Sequence, residues 1–130
     1  MAKTWRLMGE YDAETTTYSA CAGAAQTSPY TPDFNGNLVG LRVVPFRGAV
    51  TQLMNHVQFR LTSVTFNPNV MHVGGNGSGL QTAPAVQPPS MDWQVSQAVK
   101  AGVPITIEAR NVTADTPVAV QMGIYGLFQT

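Results

Sequence analysis

Apolar and polar residues alternate with a period of two along much of this chain, the spacing of strands rather than helices. In residues 4–12, Trp5, Leu7 and Tyr11 share one phase and Thr4, Arg6, Glu10 and Asp12 the other, with Met8 as the exception. A strand with Trp5, Leu7 and Tyr11 turned inward is expected there. In 57–66, Val57, Phe59 and Leu61 hold one phase, while Val64 and Phe66 hold the opposite one. The slip at Thr62 and Ser63 predicts a β-bulge or strand bend. Residues 38–46 are nearly continuous in apolar side chains, as for a strand covered on both sides. Pro45 has no N–H to give a ladder, so it belongs at a strand end or a sheet edge.

Residues 15–20 have strand-like composition. Residues 91–102 read in two ways: as a strand aligning Trp93, Val95 and Val99, or as a helix capped by Ser90 and Gly102. The strand is preferred, because the helix would be short and isolated in a β pattern.

The clearest paired pattern lies near the C-terminus. Ile105, Ile107 and Ala109 alternate with Thr106, Glu108 and Arg110, and residues 111–117 supply turn chemistry. Val118, Val120, Met122, Ile124 and Phe128 then take the inward phase, so a hairpin is predicted. The opposite phase starts with Ala119, Gln121 and Gly123, which suit solvent, and ends with Tyr125 and Leu127, which do not. Either this last strand is central and covered on its outer face, or Tyr125 and Leu127 meet a neighbouring copy or another protein.

Two long irregular stretches separate these elements, 22–37 and 73–90. The second joins a Gly-rich half to a Pro-rich half, the first flexible and the second favouring extended geometry. Residues 74–90 are therefore expected to form an extended loop, or an arm along a neighbour's surface. About eight short strands with turn-rich links and no convincing long helix predict an all-β protein. The expected fold is one β-sandwich domain over residues 1–130.

Composition narrows the partners. At 130 residues, the chain is long enough to bury roughly two-thirds of its unfolded surface. Only 11% of its residues are charged, less than half the usual figure of about 25%. Seven basic and seven acidic side chains cancel, leaving little self-repulsion to keep copies apart. The basic residues are scattered, so no stripe exists to neutralise phosphates, and nucleic acid is not an expected partner. No stretch approaches the roughly 20 apolar residues of a membrane helix. Cys21 is alone, so no intrachain disulfide is expected. The first twelve residues lack the apolar segment of a signal peptide, which predicts a cytoplasmic origin.

Motifs for chemistry are weak. The glycine run at 74–79 lacks the Lys-Ser/Thr ending of a phosphate loop, and Ser78 has the wrong spacing for a nucleophile elbow. Asp33, Asn35 and Asn37 faintly resemble a calcium loop, but the glycine sits one place early and Val44 stands where a bidentate Glu is needed. A turn capped by its own side chains explains them better. His56 and His72 have no ligand spacing and read as strand-end residues. Glu10, Asp12 and Glu14 read as a solvated acidic edge. No catalytic residue, metal ligand or cofactor is predicted, and the expected class is not an enzyme.

The C-terminal pattern has a further likeness. A strand with Glu108 and Arg110 outward, an Asn-initiated turn and a Gly-punctuated final strand resemble the closing strands of small jelly-roll proteins in virions. These include the capsid cement or decoration proteins of tailed phages. The resemblance covers about the last third of the chain and implies a jelly-roll fold, two Greek keys forming a double sheet. It also implies a place in the virion after assembly in the host cytoplasm. The major capsid protein, copies of this chain, or both would be the partners. The chain is too short to resemble a tailed-phage major capsid protein and lacks a genome-binding Arg-rich arm, which favours an accessory position on the shell. A minor capsid, tail or spike component stays open. So does a carbohydrate-binding module, although the inward phase assigned to Trp5 and Trp93 argues against exposed sugar-stacking rings. The interface candidates are Tyr125 and Leu127 on the last strand, Tyr30 and Phe34 in the first long loop, and Gly74, Leu80, Pro84 and Pro89 in the arm.

Overall fold

The computed structural model describes residues 2–11, 17–21, 28–48, 57–74, 91–111 and 120–130. Eight strands run through them: β1 (Lys3–Tyr11), β2 (Ser19–Ala20), β3 (Gly36–Gly48), β4 (Val57–Thr62), β5 (Val70–Gly74), β6 (Met91–Val99), β7 (Thr106–Asn111) and β8 (Val120–Gln129). Among the described residues there is no helix. The strands form two antiparallel sheets, ordered β1-β8-β3-β6 and β2-β7-β4-β5.

That order follows one rule. The first strand pairs with the last, β2 with β7, β3 with β6 and β4 with β5, as rungs of a single long hairpin doubled between β4 and β5. Rolling the hairpin up sets β8 against β3 and β7 against β4, which completes the two sheets. This is the wrapping of a jelly roll.

The two inner faces meet in one apolar core. Leu38, Leu41, Val43, Val99, Ile124 and Phe128 come from the first sheet; Phe59, Leu61, Ile107 and Ala109 come from the second. Phe128 organises one end of this core. The ring of Tyr30 stacks on it at 5.7 Å and that of Phe34 meets it edge-on at 5.1 Å. Gly126, two residues earlier on the same face, leaves a gap that its neighbours fill. A Cβ there would stand 2.6 Å from Met8 Sδ and 2.8 Å from Leu38 Cδ1. The glycine thus lets Met8 reach the core from the edge strand β1.

Several expectations change at the level of pairing. Residues 105–128 do not make a hairpin: β7 lies between β2 and β4, whereas β8 lies between β1 and β3 in the other sheet. Alternation specifies a face, not a partner, and both strands satisfy it by facing the same core from opposite sides. In β1, Trp5 and Leu7 point outward, and Met8, the exception in the pattern, is buried. The register shift between Leu7 and Gly9 swings Met8 inward, while Trp5 and Leu7 sit opposite Leu127 and Tyr125 on the outer face. Glu10 is not part of a solvated edge; it is 6% exposed, opposite Gly123. The slip after Thr62 is not a bulge within a strand but the end of β4. A turn follows, in which the Phe66 amide donates to the Ser63 carbonyl and the Ser63 amide to that of Asn69. Within that turn Val64 is 78% exposed and Phe66 is buried.

Residues 91–99 form a strand, paired with β3 from Val99 to Met91. Pro45 lies beyond Val43, the last β3 residue matched to β6, where β3 has β8 as its neighbour. Among the described residues nothing pairs with β3 there on the side away from β8, and such an edge is where a residue without an N–H fits. His72 stands in the middle of β5, not at a strand end. Leu80, Pro84 and Pro89 lie outside the described residues, as does His56, and Gly74 is the last residue of β5.

Because Phe128 is enclosed on every side, Phe128→Ala should cost about 3–5 kcal/mol of stability. Urea unfolding followed by tryptophan fluorescence checks this, and a loss below about 1 kcal/mol would show that the ring is not central to the core.

Candidate docking face

The outer faces of the two sheets differ in kind. On the second sheet the central strands present polar and charged side chains, with Val70 of β5 the one large apolar side chain left 38% exposed among that sheet's described strand residues. Arg60 Nε donates to Glu108 Oε1 at 2.9 Å, and Arg110 donates through Nε and Nη2 to Gln58 Oε1 at 3.1 and 2.8 Å. Both guanidinium groups lie against the Tyr18 ring, at 4.2 Å for Arg60 and 4.7 Å for Arg110. The hydrogen bond to Glu108 raises the pKa of Arg60 further, which holds the guanidinium charged. Such a surface satisfies its charges internally and suits water.

On the first sheet the outer face is apolar at its centre, with Lys3 and Gln94 at its border. Trp5 lies opposite Leu127 and Leu7 opposite Tyr125 across β1 and β8. On the far side of β8, Leu127 lies opposite Gly40 and Tyr125 opposite Arg42. Gly40 keeps this surface low, since a Cβ there would come to 3.3 Å from Leu127 Cβ. Arg42 folds its guanidinium over the Trp5 ring at 4.4 Å, a cation–π contact that fixes both side chains. Trp5 is 38% exposed and stands as a ridge between two shallow depressions. One, of about 230 Å³, is lined by Trp5, Arg42, Val44 and Tyr125. The other, of about 330 Å³, is bordered by Trp5, Val39, Gln94 and Leu127 among others.

The face therefore offers an indole, a phenol, aliphatic side chains and one guanidinium already held flat. Aromatic rings and Arg are the side chains that dominate binding energy at interface centres. Their chemistry is recognition by packing and stacking.

The candidate residues divide across the molecule. Tyr125 and Leu127 are together on this face, half-buried by their neighbours. Trp5 and Arg42 join them. Alternation alone turns Trp5 inward, because phase within one strand does not reveal which phase is the core; the register with Leu127 places it outside. Tyr30 and Phe34 belong to the end of the sandwich. Tyr30 exchanges both backbone hydrogen bonds with Ile105, at 2.9 and 2.8 Å, and the Arg6 guanidinium lies 4.8 Å over the Phe34 ring. Their loop is also tied down at Asn35, whose Oδ1 accepts from the Ala101 amide at 3.0 Å. Trp93, by contrast, is half-buried against the core opposite Leu41, as its phase predicts.

No family model matches the chain, and no curated protein matches it. Among solved structures it is similar to the crystal structure of FLHE, at 8% identity and a TM-score of 0.47, over 98% of this chain and 95% of the other.

Burial raises the pKa of the Tyr30 hydroxyl above 10.0; Arg6 opposes this and Asp33 adds to it. A raised folded-state pKa contributes stability that is full below the unfolded value and lost as pH rises through the folded one. Melting temperature should therefore fall on going from about pH 9 to about pH 11, and less steeply in Tyr30→Phe. Equal slopes in the two proteins would mean that the hydroxyl is not buried enough to matter.

Proposed function

We propose that this chain is a non-enzymatic virion structural protein, a capsid decoration or cement protein that docks the outer face of its first sheet between capsid subunits. The observation that carries this reading is the contrast between the two outer faces. One ties Arg60, Glu108 and Arg110 into hydrogen bonds within the sheet, while the other gathers Trp5, Leu7, Val39, Tyr125 and Leu127 around a stacked Arg42. A chain with 11% charged residues has little else to limit close approach to a protein surface. The jelly-roll wrapping agrees with the virion likeness of its closing strands.

The physics is that of an ordinary interface. Stable complexes bury about 1,600 Å² in total and depend on a few aromatic or Arg anchors near the centre. Repeated contacts around a shell add avidity, so individually weak binding becomes long-lived. The major capsid protein and further copies of the chain are the proposed partners, and the assembled virion is the proposed location.

A second reading is favoured by one observation, the outward Trp5. An exposed indole beside Tyr125 and Arg42 is also a platform on which a sugar ring stacks. The objection that the ring is inward does not hold at Trp5, although it does at Trp93. Binding of the purified monomer to a glycan array, abolished by Trp5→Ala, would favour this carbohydrate-binding reading over the first.

On the decoration reading, the chain should travel with particles when source lysate is separated on a density gradient. Tyr125→Ser combined with Leu127→Ser should move it to the soluble fraction, since loss of two anchors costs at least about 2 kcal/mol of binding. The double variant should keep its β circular-dichroism spectrum. A folded double variant that stays with the particles would sink the proposal, and so would a wild-type chain that never enters them.

A further inference from the structure

We infer that the depression floored by Gly40 is a binding site for one acidic sugar, a pyranose ring that carries a carboxylate, with Lys3 as the counter-ion. This rests on the carbohydrate reading above, which it narrows to one site and one class of sugar; the decoration reading keeps its own test.

The depression exists because β3 breaks its alternation there. Leu38 and Leu41 are both buried in the core, so the two residues between them, Val39 and Gly40, both turn to the outer face. The registers record the same break, for β3 shifts between Leu38 and Gly40 against β8 and against β6. A bulge of this kind re-aims side chains and is frequent beside functional sites. Here one of the two outward residues has no side chain. Gly40 opens a hollow between Val39, Leu127 and the indole of Trp5. That indole reaches across β8, so that its Cη2 would stand 3.7 Å from a Cβ at residue 40.

At about 330 Å³ the hollow is at the small end of the range for ligand sites, with room for one ring and its substituents. Trp5, Val39 and Leu127 are its apolar walls. Its polar groups stand on opposite sides, Lys3 on β1 and Gln94 on β6. Lys3, Trp5 and Gln94 are exposed, so the hollow is open to water. Arg42, which stacks on the same indole, lines the other depression and not this one, so it leaves this side of the ring for a ligand.

Each wall selects part of the ligand. The face of an aromatic ring carries partial negative charge, and the C–H groups of a sugar are the matching weakly positive surface. The Gln94 amide both donates and accepts, as neighbouring hydroxyls require. Lys3 presents a compact ammonium with donors only, for which a carboxylate is the matching partner. Among the described side chains that border the hollow, none is acidic. Asp92, two positions before Gln94, is in register with Arg42, beside the other depression.

Amide chemical shifts of the isotope-labelled chain, followed as glucuronate or N-acetylneuraminate is added, should move saturably at Lys3, Trp5, Gly40, Gln94 and Leu127. Glucose should bind there at least about threefold more weakly, the scale of one exposed ion pair. Lys3→Gln should bring the acids down to the affinity of glucose and leave glucose unchanged, whereas Lys3→Arg should keep the preference. Gly40→Ala should weaken every sugar at least about fivefold by raising the floor of a filled site. Gln94→Leu, at an exposed position, should weaken them without touching the core. Circular dichroism and melting confirm that each variant is folded. Acids that bind no better than glucose, or that are indifferent to Lys3→Gln, overturn this inference and leave the carbohydrate reading standing. Acetate that binds as tightly as glucuronate overturns it too, since the ring then contributes nothing. No saturable shift with either acid overturns it outright, and the glycan array shows separately whether the carbohydrate reading also fails.

Discussion

A strand in a two-layer sandwich has one face toward the core, yet β8 is apolar on both. Ile124 and Phe128 fill the inner face; Tyr125 and Leu127 occupy the outer one. The fold meets this constraint by placing β8 in the middle of its sheet, where β1 and β3 flank it. Its two neighbours then continue the outer surface with Trp5 and Leu7 on one side and Val39, Arg42 and Val44 on the other. The apolar outer face is a consequence of where β8 had to go.

The same wrapping explains why the opposite surface is so different. β4 and β7 are the central strands of the second sheet, and their outward positions carry Arg60, Gln58, Glu108 and Arg110. Cross-strand register puts Arg60 beside Glu108 and Arg110 beside Gln58, so the first pair neutralises itself and the second guanidinium is hydrogen-bonded to an amide within the sheet. Tyr18 covers both guanidinium groups from the edge. One sheet thus turns its polar chemistry inward upon itself, and the other leaves apolar area available. Burying the second of these releases more water from apolar surface and breaks fewer hydrogen bonds.

The loop that contains Tyr30 and Phe34 shows how irregular chain can still be structural. Its backbone bonds to Ile105, and the Ser28 hydroxyl accepts from the Ile107 amide at 2.8 Å. The Gly102 amide donates to Pro32, at a turn where Gly102 takes a φ of +80°. These bonds close the end of the sandwich and seat two rings on Phe128. A stretch that is rich in Pro, Ser and Asn and without periodicity is here hydrogen-bonded to the chain on either side of Ile105.

Much of the architecture was legible in the chain by itself. Period-two alternation identified β1, β4, β7 and β8, and 91–99 emerged as a strand from its β surroundings. The inward set of β7 and the outward pair Tyr125 and Leu127 were also readable, because each follows from alternation within one strand. What alternation cannot encode is partnership. That β7 and β8 face each other across the core, and that Trp5 lies outside while Met8 lies inside, depends on contacts between residues far apart in the chain. The same holds for the stacking of Arg42 on Trp5, which joins β1 to β3. Local sequence sets the face of each strand, since side chains alternate by covalent geometry; only the closed pair of sheets decides which face meets the core and which is turned outward.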